Sequence, residues 1–253
     1  MVNVRTPYRV SFAGGGTDLL EYSRKFGGAV VGCSINRYIT VRLDGDKLSS
    51  HSDLLSCSGL GGSAAYLAGA YRAKNPQRQK SDAIQYVTLT ENLGQQDQIL
   101  CVTGGLNAVS FNTDDSYSIT HLVPPAWLDV CLSLYYMGDR KVEGKTLLSG
   151  INEDALKAQI KLAQQVTLAL VSEDFDAFVY NMQEAWEEKK RFRPDLINEH
   201  TRIFEKNMDR YGILAFKLCG AGGGGYALLI NDPNFKPVLG TPIKLDHEGQ
   251  VCK

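Results

Sequence analysis

The 253-residue chain has almost no charge imbalance, with 27 Lys and Arg against 28 Asp and Glu. That gives no electrostatic grip on nucleic acid or on an anionic membrane, so neither is expected as a partner. No apolar run approaches the ~20 residues of a membrane span, and Met1 to Tyr8 holds no signal-type apolar core. The six cysteines (33, 57, 101, 131, 219 and 252) include no CxxC pair. Scattered mostly among apolar and small neighbours, they are expected to be reduced thiols in a cytoplasmic protein, not a disulfide frame or a zinc site. The four histidines are far apart and lack ligand spacing, so none is expected to hold a metal.

What the chain has in excess is glycine, 25 residues of 253, above the usual ~7%. The glycines cluster at Gly14-Gly15-Gly16, at Gly59-Leu60-Gly61-Gly62 and at Gly220-Ala221-Gly222-Gly223-Gly224-Gly225. Clustered loops without side chains bring backbone close to something. Apolar residues at 43% and charged residues at 22% describe an ordinary folded protein, long enough for one large domain or two modest ones.

The hydrophobic pattern predicts a strand over Val4 to Phe12, then two β-branched strands within Gly28 to Leu43 joined near Asn36. An Ala-rich helix is expected from Ser63 to Ala73 and another from Asp82 to Leu93. Short strands follow at Leu106 to Asn112 and Ser118 to Leu122, then Pro124-Pro125 as a domain boundary and a strand over Asp129 to Met137. The second half is more helical. Leu156, Ile160, Ala163, Val166 and Leu170 recur at helical period, as do Phe175, Phe178, Met182 and Trp186; a third helix is read over Leu196 to Tyr211. Strands at Ile213 to Cys219 and Tyr226 to Ile230 flank the last glycine cluster. This order favours a two-domain α+β fold, 1–125 and 126–253, over a regular βαβ array.

Two motif matches fail on context. Gly220-x-Gly222-x-x-Gly225 fits the dinucleotide fingerprint, but a strand follows where a helix must open. Gly138 to Thr146 resembles a P-loop, but it has five residues between its glycines instead of four. The cluster Gly59-Leu60-Gly61-Gly62-Ser63-Ala64-Ala65 opens directly onto the Ala-rich helix. Unpaired N–H groups and partial positive charge there suit a phosphate, while a plain N-cap and a tightly packed helix start account for the segment equally well.

Arg5-Thr-Pro-Tyr-Arg9-Val-Ser-Phe-Ala-Gly-Gly-Gly-Thr17-Asp18 resembles the first motif of the GHMP small-molecule kinases, the superfamily of galactokinase, homoserine kinase and mevalonate kinase. Gly59 to Ala65 resembles their phosphate-binding motif, and Lys217-Leu-Cys-Gly-Ala-Gly-Gly-Gly-Gly225-Tyr their third. The AGGGTD wording, Gly94-Gln95-Gln96-Asp97-Gln98, Gly104-Gly105-Leu-Asn107 and Tyr136-Met-Gly138-Asp-Arg140 look closest to the branch that phosphorylates D-glycero-D-manno-heptose 7-phosphate at its anomeric hydroxyl. The resemblance implies an N-terminal domain with a left-handed βαβ unit, a C-terminal ferredoxin-like domain, and an active site between them that uses ATP and Mg²⁺. By position, Gly59, Leu60, Gly61, Gly62, Ser63 and Ala64 would cradle ATP phosphates, with Ser63 also at the metal. Asp97 would activate or orient the sugar hydroxyl, and Arg9 would pair with it; a helix-end carboxylate and a surface ion pair are the plainer alternatives. Gly15, Gly16, Thr17 and Asp18 would bind the sugar, Gly222, Gly223 and Gly224 would close on it, and Arg140 and Lys190 are candidates for its phosphate. A different sugar such as fucose, or a catalytically silent sugar- or nucleotide-binding member, is the rival reading. The resemblance leaves the oligomeric state open.

Two departures from the motif pattern stand out. Gly62 occupies a position where the superfamily often has Ser, and the chain is short near 44–58 and 91–95. The residues after Asp44 read as fragments without a strand pattern, and a break in chain spacing is expected there first.

Overall fold

The structure, a computed structural model, describes residues 1–139, 152–193, 197–220 and 222–253. Strand β1 (Val2–Ala13) is buried almost throughout from Val4, so both its faces are covered and it loses the half-polar alternation of a surface strand. Pro7 falls at a register shift against the next strand, the place where a strand tolerates a missing N–H.

Strand β2 (Gly28–Asp44) is one 17-residue strand, not two. Its pairing to β1 jumps from Tyr8–Ile35 to Pro7–Tyr38, which leaves Asn36 and Arg37 as a bulge. The bulge is satisfied from elsewhere: Asn36 N–H donates to the Lys244 carbonyl at 2.9 Å, and Arg37 donates to the Pro242 carbonyl at 3.1 Å. Asn36 therefore marks an irregularity inside one strand. The segment after Asp44 is a regular hairpin arm; Gly45 turns the chain and β3 (Lys47–Ser52) pairs back along β2 from Lys47 to Ser52. Its polar, exposed side chains hide the strand from a hydrophobic reading.

Strands β4 (Leu106–Phe111), β5 (Tyr117–Leu122) and β10 (Val251–Cys252) complete the first sheet, in the order β10-β1-β2-β4-β5 with β3 on β2. Helices α2 (Gly62–Lys74), α3 (Lys80–Glu91) and α4 (Gln96–Thr103) pack Ala64, Ala68, Ile84, Val87, Ile99 and Leu100 against Val30, Val109 and Phe111 of this sheet. A short α1 (Leu20–Phe26) precedes β2.

After Pro124-Pro125 the expected strand is a helical turn, α5 (Leu128–Cys131), followed by β6 (Leu132–Tyr136). With β7 (Ile213–Leu218), β8 (Tyr226–Asn231) and β9 (Thr241–Pro242) it forms an antiparallel sheet ordered β7-β8-β6-β9. Helices α6 (Glu153–Val171), α7 (Phe175–Phe192) and α8 (Glu199–Asn207) are each capped by a side chain: Asn152, Asp174 and Asn198 accept from the N–H of Ala155, Ala177 and Thr201. A 3₁₀ turn, Met208–Tyr211, finishes the third of these helices.

The fold is thus mixed α+β, with two sheets on either side of Pro124-Pro125. The last strand does not respect that line: β10 returns to pair with β1 at Val4 and Arg5. One apolar core also runs through both parts, joining Val10 and Phe12 to Val166, Phe178 and Leu228. All six cysteines are free thiols, Cys57 being exposed. Among the described residues no helix is long and apolar enough to cross a membrane, and no group of three or more His, Cys, Asp or Glu side chains is placed to hold a metal.

Candidate active site

A cavity of about 580 Å³ lies where the two sheets meet. Its floor comes from β1, which ends at the first glycine cluster. Leu19 bridges to Gly94, and Leu20 N–H donates to the Leu93 carbonyl, so the Gly14–Asp18 loop lies beside the start of α4. This places Arg9, Asp18 and Asp97 on one cavity wall.

Arg9 and Asp97, 88 positions apart, form an ion pair. Asp97 Oδ1 accepts from Arg9 Nε at 2.9 Å and from Nη2 at 2.6 Å, while Arg9 Nη1 donates to the Gly59 carbonyl at 3.0 Å. The Arg9 side chain is 3% exposed and Asp97 33%, so the pair is anchored on the arginine side and open on the carboxylate side. Burial works against the Arg9 charge, but Asp97 and neighbouring groups more than offset it, and the guanidinium is held above its ordinary value. A plain surface ion pair does not describe this geometry.

Asp18 is buried and saturated by donors. Its Oδ1 accepts from Gly16 N–H at 3.2 Å and Gln96 Nε2 at 2.9 Å, and its Oδ2 from Gln96 N–H at 3.1 Å. Gly94 permits this approach, because a Cβ there would meet Asp18 Oδ2 at 2.3 Å. Burial, reinforced by the nearby Asp97 charge, raises the Asp18 carboxyl to about 6. Thr17 does not line the cavity. Its buried hydroxyl has the Gly14 and Ala29 carbonyls as acceptors at 2.8 and 3.0 Å and itself accepts from Ala29 N–H at 3.1 Å. Gly15 and Gly16 do line the cavity.

The second glycine cluster opens helix α2. Gly59, Gly61, Gly62 and Ser63 line the cavity, and Leu60 and Ala64 are buried behind them. The first-turn N–H groups of a helix have no intrahelical partner, and here they face the open space. Gly62 leaves room for a neighbouring ring: a Cβ there would meet Tyr8 at 3.1 Å, and Tyr8 itself shares a 2.7 Å hydrogen bond with Ser52. Ser63 Oγ donates to Glu91, a residue that sequence reasoning passed over. Burial raises the Glu91 carboxyl, Ser63 opposes that shift, and Asp97 adds to it. The abrupt approach to Asp97 is a tight turn in which Asn92 adopts a left-handed conformation between α3 and α4.

Among the described residues of the third cluster Gly220 lines the cavity and Gly222, Gly223 and Gly224 do not. The loop instead packs on the second cluster. A Cβ on Gly59 would meet the Cys219 carbonyl oxygen at 2.6 Å, and one on Gly220 would meet the Gly59 carbonyl oxygen at 2.7 Å.

Arg140 lies outside the described residues. Lys190 is turned away from the cavity, paired with Glu187 at 2.6 Å and Glu205 at 2.7 Å. The neighbouring Lys189 takes the place expected of it, lining the cavity with Ala185 and Arg193. Ala185 and Lys189 are four apart on α7, which puts them on one helix face, and Arg193 caps its C-terminus four residues further on; that spacing was the available signal. Lys217, quoted only within the third motif, also lines the cavity, as does Gln159. Its signal was a lone charge in the apolar run of β7.

No family model matches the chain. A curated protein of Campylobacter jejuni, D-glycero-alpha-D-manno-heptose 7-phosphate kinase, is 24% identical over 318 residues, covering 93% of this chain and 91% of the relative. That alignment is longer than the 253-residue chain itself, so the relative carries internal segments that this chain lacks. The crystal structure of a D-glycero-D-manno-heptose 1-phosphate kinase from Bacteroides thetaiotaomicron superimposes with a TM-score of 0.76 at 19% identity, over 100% of this chain and 99% of that one. A mevalonate kinase crystal structure does so with a TM-score of 0.70 at 14% identity, over 97% and 99%. The chain therefore has the fold of these kinases.

Proposed function

We propose that this chain is a sugar kinase that transfers the γ-phosphoryl group of ATP, with Mg²⁺, to the anomeric hydroxyl of D-glycero-D-manno-heptose 7-phosphate. The observation that carries the reading is the Arg9–Asp97 pair, set beside a glycine loop that opens a helix into the same cavity. The names of the similar kinases support the heptose phosphate as acceptor. In this reading 1–125 and 126–253 are two domains sharing the site, and the enzyme works in the cytoplasm.

Arg9 occupies Asp97 Oδ1 and leaves Oδ2 for the acceptor hydroxyl. Asp97 receives the hydroxyl proton as the sugar oxygen bonds to phosphorus and the bond to the ADP oxygen breaks. The first-turn N–H groups from Gly61 to Ala64 would receive the ATP phosphates. Ser63 and Glu91, hydrogen-bonded to each other at the cavity rim, are hard oxygen donors of the type Mg²⁺ selects. Bound there, the ion would neutralise phosphate charge. Asp18 orients the Asp97 segment through Gln96.

The test is ADP release over a panel of sugars and sugar phosphates. Turnover is expected to be fastest with the heptose 7-phosphate. Preference for fucose or another sugar would move the substrate but keep the class. No turnover with any member, together with retained sugar binding, would favour the silent binder.

A further inference from the structure

Lys217 is a buried cation without an acid. It is 5% exposed, and its Nζ donates to the Phe12 carbonyl at 2.9 Å. Among the described residues no carboxylate lies within ion-pair distance of it. A buried ammonium held by one carbonyl is costly unless a ligand completes it. Two more cations line the same cavity, Lys189 on the α7 face that carries Ala185 and Arg193 at the C-terminal cap of α7. Lys189 Nζ donates to the carbonyls of Leu218 and Gly220 at 2.5 and 2.8 Å, which ties this face of α7 to the end of β7. The nucleotide loop, with Ser63 and Glu91, belongs to the opposite half of the chain.

We propose that Lys217, with Lys189 and Arg193, forms an anion-binding wall that holds the phosphate ester already carried by the acceptor sugar. This rests on the kinase reading for the identity of the sugar, but the anion site stands on its own geometry. It also places the phosphate-reading residues on α7 and β7 and removes Lys190 from that role.

Burial, and then the charge of Arg9, pull the Lys217 ammonium down to about 8. The titratable and charged groups around it are Arg9 from β1, Cys219 just past the end of its own strand, Lys189 from α7 and Arg193 at the cap of α7, with Asp18 and Asp97 lining the same cavity. Burial keeps the Cys219 thiol above its ordinary value. The ammonium is charged below about 8, so binding of a phosphate ester should weaken as pH rises through that value.

Calorimetric titration without nucleotide tests this, using the heptose 7-phosphate, the unphosphorylated heptose and inorganic phosphate as probes. Lys217→Met should lose roughly tenfold or more in affinity for the heptose 7-phosphate, the scale of one charged hydrogen bond. Its affinity for the unphosphorylated heptose should stay within about twofold of wild type, and Lys217→Arg should bind without the decline above pH 8. If Lys217→Met melts early, Arg193→Gln is read in its place, with the same selective loss expected. Equal loss for both sugars, or no loss for either, overturns the proposal. So does a wild-type protein that binds neither phosphate probe. Lys217-dependent binding of inorganic phosphate without binding of the heptose 7-phosphate would keep the anion site and reject the heptose acceptor.

Discussion

The loops Gly59–Gly62 and Gly220–Gly225 have nearly the same composition and opposite uses. The first faces the cavity and opens α2; the second runs into a strand, and of its described residues Gly220 alone lines the cavity. They touch backbone to backbone at Gly59 and Gly220, where each leaves no room for a Cβ on the other. Glycine in the first loop serves the approach of a ligand, and glycine in the second serves the approach of the first loop. A motif count treats them alike; the element that follows each loop tells them apart.

The sharpest way to separate chemistry from packing is Asp97→Asn. Its carboxylate belongs to the cavity side, and the amide keeps the shape and one acceptor for Arg9. The rate of ADP release should fall by about 10²–10⁴-fold, with sugar-phosphate binding largely retained in calorimetry. A loss under about tenfold would remove Asp97 from the chemistry.

The contact between the loops should respond in stability. Gly59→Ala and Gly220→Ala each place a Cβ within 2.7 Å of a carbonyl oxygen and force Ala into a left-handed conformation. Each should cost about 3 kcal/mol in denaturant unfolding. Because both relieve or aggravate one contact, the double variant should cost clearly less than the sum. Additive losses would mean that the loops do not constrain each other.

Asp18 sharpens the cavity side through pH. Its carboxyl is raised to about 6 in the fold, against ~3.9 in an unfolded chain. Between those values the folded protein holds a proton that the unfolded chain has released. Stability should therefore fall as pH rises from about 4 to about 6 and level off above, a loss on the order of 2 kcal/mol. Melting curves of wild type and Asp18→Asn between pH 4 and 8 check it. The variant should lack this component, and an identical slope in both proteins would reject it.

The smallest effect provides the baseline. Gly45, in the β2–β3 turn, has a positive φ but nothing within 4 Å of a would-be Cβ. Gly45→Ala should cost about 1 kcal/mol, from backbone conformation alone. A cost near that of Gly220→Ala would show that the left-handed backbone, not the contact between loops, sets both.

Much of this was legible from local pattern. The helices α2, α3, α6 and α7 and the strands β7 and β8 follow from periodicity, because each buries a single apolar face or is wholly buried. What stayed hidden depends on distant partners. The bulge at Asn36 and Arg37 reads as a break because the segment that satisfies it lies near residue 243. The strand β3 is invisible because its side chains are polar and exposed; only its pairing to β2 makes it a strand. At the site, the motif residues Arg9, Asp97 and Gly59 to Ser63 came from resemblance, and they do meet. Glu91, Lys189 and Lys217 did not, since nothing local distinguishes an acid ending a helix or a lysine in a strand until the cavity brings them together. Thr17 went the other way: it sits in a motif, yet its hydroxyl is consumed by Gly14 and Ala29.

The return of β10 to β1 has a consequence for how the chain is made. Asn3 and Lys253 exchange backbone hydrogen bonds, each 2.8 Å long, so among the described residues the outer edge of β1 is covered by β10 and Lys253, far along the chain. During synthesis β1 therefore waits for β10. Until residues 251 and 252 emerge, that edge offers unpaired N–H and C=O groups to any strand nearby.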